Sequence, residues 1–250
     1  MSKAIAINVA ANTNLPGFRG PIYPDGSFVY LPIPEREPTA ESVPTYDDLL
    51  DALGPLPFAV DDETRRLPVH LDPEFADYPR CSQYTYGDEH GVKAGPLSEL
   101  EAGDSLYFYA TLTRHDPPDA VETGPPADWV ASEWGAYIIG EFRVDRVYDT
   151  DACERLTPAD GQPVASNAHC KRDPFDAKVL VVGTDDSQLF DRAVPLSSPD
   201  SGATANRIVT KLSNDSGKGP WWRRRLWFDE PATDRLRTLV ASETDFEGWC

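Results

Sequence analysis

Four groups of residues have the chemistry and the spacing to form a site. His70-Leu71-Asp72 sets an imidazole two residues from a carboxylate. In an extended strand both side chains project to one face. A carboxylate beside an imidazole orients its tautomer and suits general acid/base work. The same residues also fit a buried histidine and an aspartate that forms a turn before Pro73. The N-terminal loop is the second group. Gly17 and Gly20 let the backbone approach a ligand, Arg19 suits a phosphate, and Asn12 and Asn14 suit a base edge. Asp25, in the following Asp-Gly turn, is a third candidate acid or base beside His70 and Asp72. A tight turn held by Asx hydrogen bonds is the alternative.

The third group is aromatic: Tyr84, Tyr86, Tyr107, Tyr109 and Trp134. Such rings can stack a base for roughly 1–3 kcal/mol, or they can fill a β-rich core. Tyr86-Gly87-Asp88 reads as the most loop-like member, so Tyr86, Asp88 and Trp134 are candidate ligand contacts. The fourth group is the segment 204–228. Arg207, Lys211, Lys218, Arg223, Arg224 and Arg225 face Asp215 alone there, with Trp221, Trp222 and Trp227 interleaved. Arginine grips phosphate in bidentate fashion while tryptophan packs a sugar or base. A strand that buries its tryptophans and pairs its arginines with surface acids is the competing reading.

Several familiar chemistries are missing. The chain has no Walker loop, no Gly-x-Ser-x-Gly elbow, no dinucleotide fingerprint and no zinc-deaminase signature. Cys81, Cys153, Cys170 and Cys250 show no Cys-x-x-Cys spacing, and His169-Cys170 by itself is a weak metal signal. No metal site is expected, and the cofactor is left open.

The elements that must position these groups follow from periodicity and turn signals. The 250 residues are 40% hydrophobic and include six Trp, ten Tyr and ten Phe, enough for a substantial core. Strands are expected at 4–10, 105–113, 134–148, 178–182 and 192–196, with a hairpin turn at Asp25-Gly26. Thr45 reads as the N-cap of a helix that Gly54-Pro55 ends. Short helices are expected over 151–156 and from about Pro231 to Ser242. The segment 205–212 fits either a helix or a strand. A Pro-rich stretch near 114–127 reads as an irregular surface loop. These elements predict an α+β fold: a curved mixed or antiparallel sheet, or a small barrel, with a few flanking helices in one domain over 1–250.

The formal charge is −19, with Asp outnumbering Glu 27 to 15 and Arg outnumbering Lys 17 to 6. That balance points to a protein adapted to molar salt. Screening shortens to roughly 3 Å there, so an acidic total does not exclude a nucleic-acid ligand. No secretory leader and no apolar stretch of membrane-spanning length is seen, and a soluble cytoplasmic protein is expected.

Read together, the blocks resemble a known family. Pro21-Ile22-Tyr23-Pro24-Asp25-Gly26-Ser27 followed by Leu31-Pro32-Ile33-Pro34 is similar to the opening of the nucleotide modification associated domain 3 family. His70-Leu71-Asp72-Pro73, Gly103-Asp104 with Leu106-Tyr107-Phe108-Tyr109, the run Trp134–Val147, Phe190–Leu196 and Trp222–Phe228 resemble its later blocks. The Gly-Asp turn and the strand containing Ile139-Gly140 also resemble PUA-like barrels, which hold bases or nucleotides in a cleft. The resemblance implies a protein that binds a nucleotide or a modified DNA base, either acting on it or reading it within a defence system. A protein-interaction role is a further alternative, with its partners open. The chain departs from the family pattern in its first loop, which carries Asn12, Asn14 and Arg19, and in the Pro-rich insertion.

Overall fold

A computed structural model describes residues 2–157, 162–242, 246 and 248–250. The first strand, β1 (Ala4–Asn8), is buried from Ala4 to Ile7. Burial on both faces follows from its place inside the sheet, between an antiparallel and a parallel neighbour. In chain order come β2 (Pro21–Ile22), α1 (Tyr46–Leu53), α2 (Asp62–Arg65), β3 (Thr85–Asp88) and α3 (Gly91–Ser98). Then follow β4 (Ser105–Arg114), β5 (Trp134–Tyr148), α4 (Thr150–Arg155), β6 (Val179–Gly183) and β7 (Gln188–Pro195). A small β8 (Ser197–Ser198) and β9 (Ser201–Ala205) pair off the main sheet, and β10 (Leu226–Phe228) and α5 (Glu230–Ser242) close the order.

Eight strands form one mixed sheet in the order β10-β1-β4-β5-β6-β3, with β2 also on β4 and β7 also on β5. The path stays open, so the alternative of a closed barrel gives way to the curved mixed sheet with flanking helices. The bending has local causes. The β4–β5 register shifts at Phe108/Tyr109, and β5 shifts again against β6 and β7. Bulges of this kind bend a strand and raise its twist. The 15-residue β5 can therefore pair with β4 and β7 along its first part and with β6 along its last.

Helix α1 starts as its sequence predicts. Thr45 and Asp48 form a reciprocal capping box, and Gly54 ends the helix at φ +83°. Helix α5 buries Ala232, Leu236 and Leu239. The ambiguous segment 205–212 resolves into the end of β9 and a wide helical turn over Ile208–Leu212. The stretch after β4 is irregular up to β5, and Gly124 and Ala127 tie it back to the Asp25 turn. Gly26 in that turn sits at φ +88°, and a Cβ there would fall 2.2 Å from the Trp129 ring. No helix among the described residues is long and apolar enough to cross a membrane.

Candidate functional site

His70 and Asp72 lie in a connecting segment outside any strand, so strand alternation is not what sets their directions. The backbone is held instead by His70 N–H on the Ile33 carbonyl and Asp72 N–H on the His70 carbonyl. Both side chains still face one cavity of about 230 Å³ between the end of β1, β3 and the start of α3. His169 faces the same cavity from a short 3₁₀ turn, Ala168–Lys171.

The three side chains are organised around one oxygen. Asp72 Oδ2 lies 3.9 Å from His70 Nε2 and 3.9 Å from His169 Nε2. Neither distance is a hydrogen bond. The two rings meet edge to face, 4.9 Å apart. Each histidine is oriented from behind by another carboxylate. Glu35 Oε2 is 2.6 Å from His70 Nδ1, and Asp176 Oδ1 is 2.8 Å from His169 Nδ1. Nδ1 of each ring therefore faces its own carboxylate, and each Nε2 is directed toward Asp72. Glu35, and not Asp72, orients His70.

The outer groups are themselves fixed. Arg172 bonds Glu35 at 2.9 Å and Asp176 at 2.6 Å and also reaches Glu89, so one guanidinium holds both orienting carboxylates. Asn167 accepts from His169 N–H at 3.0 Å and donates to Asp72 Oδ1 at 2.8 Å. It thus caps the turn that carries His169 and pins the aspartate. Gly87 on β3 donates its N–H to Asp72 at 3.0 Å. A Cβ at Gly87 would lie 2.5 Å from His169 Cδ2, so only glycine lets the strand come this close.

Burial raises the Asp72 carboxyl to about 7, against the charge of His169 and the hydrogen bonds from Gly87 and Asn167. Burial also opposes the Glu35 carboxylate, but hydrogen bonds from His70 and Arg172 outweigh it and bring Glu35 down to about 2. Asp176 is lowered in the same way, against burial, by His169 and Arg172.

A second cavity, of about 240 Å³, adjoins the first. Asn8 and Asn12 line both. The second cavity is also walled by Asn14, Arg19, Trp222 and Arg223. Arg19 lies 4.4 Å over the Trp134 ring, and Trp134 meets Trp222 edge to face at 5.4 Å. Burial lowers the pKa of Arg19. Its Nε is enclosed without a hydrogen-bond partner. Among the described residues neither Arg19 nor Arg223 has a carboxylate within 4.0 Å.

The remaining candidates have other placements. Asp25 lines neither cavity; it accepts from Ser27 N–H, Ser27 Oγ and Gly124 N–H at 3.0, 2.6 and 2.7 Å. Tyr86 is buried on β3, not in a loop, with its ring near Phe108 and its hydroxyl 3.0 Å from Asp88. Asp88 also pairs with Lys93 at 3.2 Å. Both Tyr86 and Asp88 line the first cavity. Asn12 Oδ1 accepts from Asn14 N–H at 2.9 Å, which is an Asx turn. Of the basic segment, Arg223 alone lines the second cavity. Arg224 pairs with Asp215, Arg207 bonds the Gly248 carbonyl, and Lys211 is exposed on the helical turn. Arg225, half-buried, lines neither cavity.

A comparison with protein families matches residues 3–240, nearly the whole chain, to nucleotide modification associated domain 3. The chain belongs to that family. Membership gives it a role associated with nucleotide modification. No curated protein and no solved structure matches the chain. Within the nucleotide modification associated domain 3 fold, Glu35, Asn167, Arg172 and Asp176 were missed by sequence reasoning, and His169 was noted only as half of a weak His-Cys pair. One signal was available for Glu35: it directly follows the Leu-Pro-Ile-Pro block.

Proposed function

We propose that the two adjoining cavities bind one nucleotide, free or within a DNA strand. The phosphate sits at Arg19 and Arg223, and the sugar and base reach past Asn12 toward His70, Asp72 and His169. One observation carries this reading. In a chain of net charge −19, two arginines share a concave site with no acidic partner among the described residues, and that site shares a wall with a buried His-Asp-His group. Unpaired guanidinium groups in a recess suit phosphate oxygens. The histidines and Asp72, with Asp72 shifted into the neutral range, suit acid/base or group-transfer chemistry on the bound base.

The test is binding and turnover in low and in molar KCl, with plain and modified nucleosides, nucleoside monophosphates and short DNAs. Saturable binding is expected for phosphate-bearing ligands, followed by a change in base mass on mass spectrometry. Binding that depends on the modification but leaves every mass unchanged identifies a reader. No saturable binding to any of these ligands rejects the proposal.

A further inference from the structure

The His70–Asp72–His169 group has features that acid/base work on a nucleotide does not require. Two buried imidazoles aim Nε2 at the same carboxylate oxygen and stop at 3.9 Å, too far to bond it. Neither Nε2 makes a hydrogen bond among the described residues. All three ligand atoms lie within 4.8 Å of one another, on residues that are each more than nine-tenths buried.

We propose that His70 Nε2, Asp72 Oδ2 and His169 Nε2 bind one divalent first-row transition-metal ion, on the floor of the first cavity. Ligand atoms about 2.0–2.2 Å from such an ion lie roughly 3–3.5 Å apart. The observed 3.9 Å gaps would therefore close by about 0.4–0.9 Å. Two imidazoles and a carboxylate are an N/O set suited to zinc or ferrous iron. Three protein ligands leave positions open toward the cavity for water or a ligand oxygen.

The surroundings match this role. In metal sites a ligating imidazole typically donates its other N–H to a carboxylate, which fixes the tautomer and raises basicity. Glu35 and Asp176 take those positions. Asn167 holds Asp72 Oδ1, and Gly87 N–H is shared between Oδ1 and Oδ2, with Oδ2 also directed at the histidines. A rival grouping of Glu89, His169 and Asp176 also has ligand spacing. The Arg172 guanidinium already bonds both of its carboxylates, so a cation's place there is taken.

This inference keeps the phosphate site of the nucleotide reading and replaces direct acid/base work by these three side chains with metal binding, and it is tested without any nucleotide. Chelator-treated full-length protein is titrated with Co(II), followed by visible absorption, and with Zn(II), followed by calorimetry. One equivalent per chain is expected, with zinc displacing the cobalt bands. His169→Gln should weaken binding at least 100-fold. Glu35→Gln should weaken it about 10–100-fold through loss of the outer hydrogen bond. His115→Gln, which alters a ring packed on Phe58, should leave it unchanged. If His169→Gln does not fold, proton NMR of the wild-type Co(II) form decides: two paramagnetically shifted imidazole N–H signals are expected. No saturable uptake at millimolar metal, an unchanged affinity in folded His169→Gln, or the absence of shifted imidazole signals would overturn the proposal.

Discussion

Asp72 and Asp25 are both buried aspartates near the front of the chain, and their neighbours give them opposite work. Asp72 keeps one oxygen directed at two histidines that it does not bond. Asp25 spends its acceptors on Ser27 and Gly124, and so ties the Pro-rich stretch to the turn. Burial opposes the Asp25 carboxylate, but those hydrogen bonds and Arg192 outweigh it and lower its pKa. A carboxylate lowered in the folded state adds stability above its unfolded value of about 3.9, and loses it as pH falls through the folded value. Asp25→Ala should therefore cost about 1–3 kcal/mol at neutral pH. In urea melts the gap between variant and wild type should shrink in strong acid. A gap that stays undiminished throughout strong acid would assign the loss to packing instead. The pairing of His70 with Asp72 was legible because a single residue separates them. His169 stands 97 positions beyond Asp72, and no local pattern links the two. What joins them is Asn167, a single amide bonded to both segments.

Among the elements, β3 decides whether the site can assemble. It lies at the sheet's edge, and Gly87 brings its backbone against His169. Gly87→Ala should displace His169 and cost about 1–3 kcal/mol as overpacking, with circular dichroism showing the sheet retained. Unchanged stability together with unchanged histidine NMR shifts would contradict this role. The segment 221–223 shows the other side of the aromatic reading. Trp221 is fully buried and donates Nε1–H to the Ala203 carbonyl, whereas Trp222 is only partly buried and walls the second cavity. Trp221→Ala should cost about 3–5 kcal/mol, as a lost core ring, measured by chemical denaturation. A cost below about 1 kcal/mol would show that the ring does not fill the core. The long strands β4 and β5 were readable from their apolar runs. Strand β3 was not: Gly87 and Asp88 are poor β formers that cut short the signal of Thr85 and Tyr86, and pairing with β6 supplies what the sequence lacks.

At the scale of the molecule, charge and shape act together. A net charge of −19 repels itself in dilute buffer, and salt screens that repulsion. The melting temperature should rise as KCl is raised from about 0.1 M toward molar concentrations; a flat or falling curve would remove salt adaptation from the account. Against this acidic background, Arg19 and Arg223 line one cavity, which the proposed function makes the entrance for an anion. The pair was only half legible in the sequence. The two residues are 204 positions apart, and three successive arginines gave no sign that the first of them would line the cavity. The decisive measurement compares a nucleoside with its monophosphate by calorimetry, on the wild type and on Arg19→Ala. The phosphate should strengthen binding at least tenfold in the wild type, and Arg19→Ala should remove most of this gain. Equal affinities for the two ligands in the wild type, or a phosphate gain that survives Arg19→Ala intact, would contradict this.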